Sequence, residues 1–272
     1  GAVTPTCQPL QVRAGRSAAK VGTGEKETGM QIDGARVLVT GANRGLGKAL
    51  ADAFAARGAA CVYAAGRDRA ALETVFSGRG RIRPVPLDVT SDASVAEAAR
   101  LCRDSTILVN NAGVVSHSTL IGAPSLDDAR LEMETNYWGV LRLCRAFAPV
   151  LRGNGGGAIV NILSMGALAS MPFVGTYCAS KAAALSLTQG IRGELEGQGT
   201  LVVGVIAGPI QTDMAREHEK EGRFPASMIA AATLDGIEAG QTTIYPDPRS
   251  ADVGAVHARD PAAIEAAFGL IR

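Results

Sequence analysis

Arg36-Val-Leu-Val-Thr40-Gly41-Ala-Asn43-Arg44-Gly45-Leu46-Gly47 decides how the rest of the chain is read. A short β-branched run meets a glycine cluster, and Leu46 to Arg57 then has helix-forming composition: strand, turn, helix. Glycines let backbone come close to a pyrophosphate, and the N-terminus of the following helix offers free N–H groups and partial positive charge. The spacing is G-x-x-x-G-x-G rather than G-x-G-x-x-G. Ordinary tight turns also use such clusters, but this one sits between a strand and a helix and points to a dinucleotide.

Working outward, Ala60 to Ala64 reads as a second strand, followed by Gly66 and Arg67. An acidic residue there would accept from the ribose hydroxyls of NAD. Arg67 and Arg44 suit a 2′-phosphate instead, hence NADP(H), with Asp68 next door as the competing feature. Arg81 to Val89 is a third strand, shortened by Pro84 and Pro86, with Asp88 at its end placed to touch the adenine. Ser91 to Cys102 is a helix and Thr106 to Asn110 a fourth strand. Asn111-Ala112-Gly113 then falls where ligands of open α/β sheets bind. Leu126 to Arg152 is largely helical. Asn136 inside it is either an exposed amide or a buried one that holds water through its side chain or a freed backbone carbonyl.

A glycine-rich loop, Gly153 to Gly157, leads to a strand over Ala158 to Leu163, and Leu201 to Ala207 is a sixth strand. Gly208-Pro209-Ile210-Gln-Thr212 is a turn whose threonine would meet a carboxamide or phosphate. Met214 to Ala226 is a polar candidate lid. A helix (Ser227 to Ala239), a short strand (Gln241 to Tyr245) and a terminal helix (Pro261 to Phe268) complete the chain. This alternation predicts an α/β fold, a doubly wound parallel sheet in one domain over residues 30–272. Residues 1–29 lack aromatics and apolar period. They read as a disordered or expression-derived tail, or as an acid-poor transit segment.

Ser164, after the fifth strand, opens a stretch ending Tyr177-Cys178-Ala-Ser-Lys181. Tyr177 and Lys181 are four apart and share one face of a helix. A phenol beside an ammonium is an acid/base device, because the positive charge favours the phenolate. Ser164 can donate to an oxygen held by that phenol. By itself the pair is also what a helix start with an exposed lysine looks like.

Composition narrows the field. The chain has 272 residues, is 47% hydrophobic and has a formal charge of +1, which suggests neither a nucleic-acid nor a membrane-surface partner. Its five cysteines are scattered without metal-ligand spacing, which fits a reducing, cytoplasmic setting. Cys178 reads as packing. His117 either lines the substrate pocket or sits in a surface loop. Met165, Met171, Phe173 and Val174 flank the strand end and predict a partly apolar pocket.

Taken in order, Thr40-Gly41-Ala-Asn43-Arg44-Gly45-Leu46-Gly47, Asp88, Asn110-Asn111-Ala112-Gly113, Asn136, Ser164, Tyr177-x-x-x-Lys181 and Gly208-Pro209-Ile210-x-Thr212 resemble the short-chain dehydrogenase/reductase family from about Gln31 to Tyr245. One departure shows: Ala207 stands where the family has proline, which leaves that turn less stiff. The resemblance implies hydride transfer between NADP(H) and a carbonyl or alcohol, without a metal. Tyr177 would be the general acid/base, and Lys181 would lower its pKa and hold the nicotinamide ribose. Ser164 would polarise the substrate oxygen, and Asn136 would hold a water that links Lys181 to solvent. Gly41, Asn43, Arg44, Gly45, Leu46, Gly47, Arg67, Asp88, Val89, Asn110, Ala112, Gly113, Tyr177, Lys181, Gly208, Ile210 and Thr212 would hold the cofactor. It also implies a homodimer or homotetramer built on the helix of Tyr177, where Ala182, Ala183, Ala184, Leu185 and Leu187 either meet a second copy or face their own sheet. Epimerisation or dehydration on the same fold, or a non-enzymatic NADP(H)-sensing regulator, are the alternatives. An intact Ser164, Tyr177 and Lys181 favour redox chemistry.

Overall fold

The structure, a computed structural model, describes residues 29–211 and 222–271. The expectations for residues 1–28, for Thr212 and for most of the lid from Met214 lie outside the described residues.

Seven strands form one parallel sheet in the order β3-β2-β1-β4-β5-β6-β7. They are β1 Arg36–Thr40, β2 Cys61–Gly66, β3 Ile82–Pro86, β4 Ile107–Asn110, β5 Gly157–Ser164, β6 Thr200–Ala207 and β7 Thr243–Ile244. Parallel strands are connected by crossovers whose helices cover both faces, so their sequences run apolar throughout. Alternation along β1 shows the two faces. Val37 and Val39 pack with Leu50 and Phe54 of α1 (Gly45–Ala56) and with Ile229 and Leu234 of α7 (Ala226–Glu238). Leu38 packs on the other side with Val95 of α3 (Asp92–Leu101) and Leu143 and Phe147 of α5 (Gly139–Gly153). This is the doubly wound α/β fold expected.

The crossover between β4 and β5 is not one uninterrupted helix. Helix α4 (Asp127–Met133) passes into a π-helical turn, Glu134–Trp138, before α5 begins. Asn136 lies in that turn and is fully buried, which overturns the exposed-amide alternative. Helix α6 (Gly175–Leu195) starts before Tyr177, so Tyr177 and Lys181 are both helical. Along it Ala184 is buried and Leu185 and Leu187 pack against the core, whereas Ala182 is exposed. The inward reading of that stripe therefore holds for Ala184, while Leu185 and Leu187 are half-buried.

Two helices were missed in the sequence. Arg69–Val75 (α2) is a short helix whose N-terminus is capped by Asp68. Pro248–Arg259 (α8) carries too little apolar residue to show a period, but it is announced by Asp247-Pro248-Arg249-Ser250, an N-cap with Pro at the first helical position. Helices α8 and α9 (Pro261–Gly269) follow β7, and Ile264 and Phe268 of α9 join Met165 and Ile206 in a third apolar cluster.

A buried polar chain fixes the register of this half. Asn110 donates to Asn161 Oδ1 (2.8 Å), Asn161 donates to Thr188 Oγ1 (2.9 Å), and Thr188 donates to the Ala184 carbonyl (2.7 Å). It joins β4, β5 and α6. Asn161→Ala would leave the Asn110 amide and the Thr188 lone pairs dry, at roughly 1–3 kcal/mol per unsatisfied group. Urea unfolding should show a loss of about 2–6 kcal/mol from two such groups. A loss under about 0.5 kcal/mol, the range of an ordinary surface change, would show that the chain carries no weight.

Candidate functional site

The strand order reverses between β1 and β4, and two turns meet at this switch point. Gly45 adopts φ +53, a conformation side chains resist. At Gly47 the constraint is space: a Cβ there would lie 2.2 Å from the Gly41 carbonyl oxygen and 2.5 Å from Asn111 Nδ2. Asn111 joins the two turns. Its amide donates to the Thr40 carbonyl (2.8 Å) and the Gly41 carbonyl (3.3 Å). The Thr40 hydroxyl accepts from the backbone N–H groups of Asn111 (2.9 Å) and Ala112 (3.0 Å). The glycine turn and Asn111-Ala112-Gly113 are thus one laced unit, with Gly41 against the Cα of Ala112. A phosphate cradle needs backbone kept this close and bare of side chains.

Other expected cofactor residues divide between side chain and backbone. Leu46 and Val89 are buried in the two cores, so only their backbone is available to a ligand. The Asn110 amide is spent in the buried chain described above, and its Oδ1 is buried without a hydrogen-bond partner among the described residues. Asn43 is half-buried and Arg44 is exposed beside Gly45 at the start of α1. Two bonds from Thr90 hold the Asp88 carboxyl below the usual range, with a smaller pull from the charge of Arg67, which is exposed just beyond β2. Asp68, the feature that competes with Arg67, accepts from the Ala71 N–H as the cap of α2. Gly208 and Ile210 follow β6, and Ile210 pairs with Phe224.

At the carboxyl end of β5, Lys181 is 6% exposed and donates to the Ile162 carbonyl at 2.9 Å. Its Nζ lies 5.7 Å from the ring centroid of Tyr177. Burial lowers the Lys181 pKa to about 8. Burial likewise pushes the Tyr177 phenol up to about 12, against the pull of a hydrogen bond with Ser164. This corrects the expectation that Lys181 brings the phenol below its ordinary value. Desolvation outweighs any pull from an ammonium that is itself costly to charge.

Asn136 holds this corner together. Its Oδ1 accepts from the Val114 N–H (2.9 Å), and its amide donates to the Val114 carbonyl (2.9 Å) and to Ser180 Oγ (2.9 Å). Ser180 in turn donates to the Tyr177 carbonyl (2.7 Å). Both amide hydrogens are used, so the side chain ties α6 to the loop after β4. A water would have to use a backbone carbonyl loosened by the π-helical turn. Glu132, which the sequence did not single out, is fully buried one turn earlier, and its Oε1 accepts from the Ser116 N–H (2.7 Å).

The expected apolar lining changes. Met165 and Val174 are buried, at 4% exposure each, and offer the pocket little surface. Phe173 is exposed and stacks on His117, with centroids 6.4 Å apart and planes at 21°. His117 has φ 52, a left-handed backbone unusual for a side-chain-bearing residue. It is exposed in the loop between β4 and α4, as the surface-loop alternative had it. Cys178 is buried against Gly166 and Met171, as a packing residue.

Residues 35–222 match the family described as short chain dehydrogenase. The chain belongs to the short-chain dehydrogenase/reductase family, a family of oxidoreductases. Galactitol 2-dehydrogenase (L-tagatose-forming) of Cereibacter sphaeroides is 36% identical over 69% of this chain and 76% of its own length. The 3-oxoacyl-(acyl-carrier-protein) reductase of Vibrio cholerae is 30% identical over 81% of this chain and 87% of its own. Among solved structures, a short chain dehydrogenase from Burkholderia cenocepacia in complex with NADP superposes with a TM-score of 0.81 at 39% identity, covering 88% of this chain and 99% of that one. Among the described residues of this short-chain dehydrogenase, no helix is long and apolar enough to cross a membrane.

The buried lysine makes a prediction about stability. Its pKa is about 8 in the fold and about 10.4 in an unfolded chain. Between those values the unfolded chain binds more protons, so raising the pH favours the folded state. Tyr177 opposes this only above its ordinary value of about 10. Lys181→Met should therefore be at least as stable as wild type at neutral pH. From pH 8 to about 10 the wild type should gain on it, as urea melts across that window would show. Parallel stability–pH curves would mean that Lys181 is not held below its ordinary pKa.

Proposed function

We propose that this chain transfers hydride between NADP(H) and a small-molecule carbonyl or alcohol, with Tyr177 as general acid/base. The observation that carries this reading is the convergence of Ser164, Tyr177 and Lys181 at the end of β5, beside the cradle at the β1–β4 switch point. When bound, the dinucleotide supplies or accepts the hydride. The glycine turn takes the pyrophosphate on backbone N–H groups, and Arg67 with Arg44 takes the 2′-phosphate. The NADP in the similar Burkholderia structure supports that choice.

Ser164 donates to the substrate oxygen and fixes it against the phenol. A phenol held near 12 keeps its proton at neutral pH, which is the state a general acid needs to protonate the oxygen of a reduced carbonyl. Lys181 has three N–H groups and gives one to Ile162, which leaves two for the nicotinamide ribose next to Gly113. In the direction of alcohol oxidation the same phenol must first lose its proton, so that rate should climb with pH through the alkaline range.

Tyr177→Phe removes one oxygen and little volume, so folding and NADPH binding should survive. Turnover with NADPH and a panel of carbonyls should fall by about 10² to 10⁴, the contribution of general acid catalysis. Retention of more than about a tenth of wild-type turnover, well above that range, would exclude this mechanism. Arg67→Ala should weaken NADPH by about 1.5–3 kcal/mol, as for a hydrogen bond to a charged group, and leave NADH nearly unchanged. Equal losses for the two cofactors, measured by fluorescence titration, would remove the 2′-phosphate assignment.

A further inference from the structure

Asp247 follows the edge strand β7 and is 3% exposed. Its two carboxylate oxygens do different things. Oδ1 accepts from the Ser250 N–H at 2.8 Å and caps α8, with the Ser250 hydroxyl completing a reciprocal capping box. Oδ2 accepts from the Gly208 N–H at 2.8 Å, across 39 residues of sequence. Gly208 is pressed so close that a Cβ on it would lie 2.6 Å from Asp247 Oδ1.

The position of Gly208 gives this contact its meaning. Ser164 and Ala207 are register partners on β5 and β6, so Gly208 is the first residue past the strand end that faces Ser164. Ala207 lacks the ring that would stiffen this turn. A capping carboxylate needs one oxygen for its helix. The second oxygen is free to hold the turn.

We propose that Asp247 is a positioning residue for the cofactor: its carboxylate clamps the Ala207-Gly208-Pro209 turn from outside the sheet and takes over the stiffening a proline would provide. This rests on the reading above that Gly208 and Ile210 line the cofactor cleft. Loss of the clamp lets the turn relax away from the cleft and weakens cofactor binding before it affects the proton chemistry at Tyr177. The expected signature is a rise in KM for NADPH larger than the fall in kcat.

Asp247→Ser separates the two jobs, because serine caps a helix about as well as aspartate but has one oxygen to give. The full chain carrying Asp247→Ser should stay folded, losing stability for the one Gly208 bond and not for the helix cap, and the Gly208 amide should exchange hydrogen faster. Its Kd for NADPH should rise on the order of tenfold or more, the worth of a hydrogen bond to a charged group. Gly208→Ala approaches the contact from the other side and should weaken NADPH in the same sense, which keeps the test valid if the serine variant folds poorly. NADPH binding at the wild-type level in a folded variant, or a Gly208 amide that exchanges no faster in Asp247→Ser, overturns the proposal. If wild type binds neither NADPH nor NADH, the functional reading fails instead, and the exchange of the Gly208 amide still decides whether the clamp exists.

Discussion

An ammonium group buried at the end of β5 is the constraint around which this half of the molecule is built. Lys181 donates to the Ile162 carbonyl, and that bond welds α6 to the strand that carries Ser164. A lysine at 6% exposure is costly to charge, and burial brings its pKa to about 8. Nothing in the packing of a doubly wound sheet asks for a charge there. The surroundings absorb it with backbone: the carbonyl of Ile162 on one side and the bare edge of Gly113 on the other, where a Cβ would lie 3.5 Å from Nζ.

Polar chains hold the same corner from two directions. Asn110, Asn161 and Thr188 run beneath the site from β4 to α6. Asn136 and Ser180 run above it from the loop after β4 to the backbone of Tyr177. Asn161, Thr188, Asn136 and Ser180 each satisfy a neighbour, which is how buried polar groups rigidify a fold, while Asn110 Oδ1 is buried without a hydrogen-bond partner among the described residues. Tyr177 is therefore held at both its backbone and its hydroxyl, the latter through Ser164. On the other side of the switch point Asn111 and Thr40 do the equivalent work for the glycine turn.

Much of this was legible in the chain. The strand–glycine–helix order around Gly41 to Gly47, the β-branched runs and the four-residue spacing of Tyr177 and Lys181 are local patterns, and each led to the element now seen. Helix α8 was not legible as a periodic stretch, since its fully buried positions are only Ser250 and Gly254, yet its cap at Asp247 and Pro248 was written in the sequence. The burial of Asn136 was left open because a π-helical turn and a plain helix have the same composition. Met165 and Val174 were placed in the pocket by proximity in sequence. The short helical turns after Ser164 roll them into the interior instead.

By itself the sequence determined the fold class, the place of the glycine turn and the identity of the proton-transfer candidates, because those depend on residue type and short spacing. The tertiary structure alone decided the electrostatic state of the pair: Tyr177 raised to about 12 and Lys181 lowered to about 8, by desolvation that no spacing reveals. It alone decided, too, that Asn136 spends its side chain on Val114 and Ser180, and that Asp247 reaches Gly208. These contacts span 22, 44 and 39 residues. They exist only because the crossovers bring the carboxyl ends of parallel strands to one edge of the sheet.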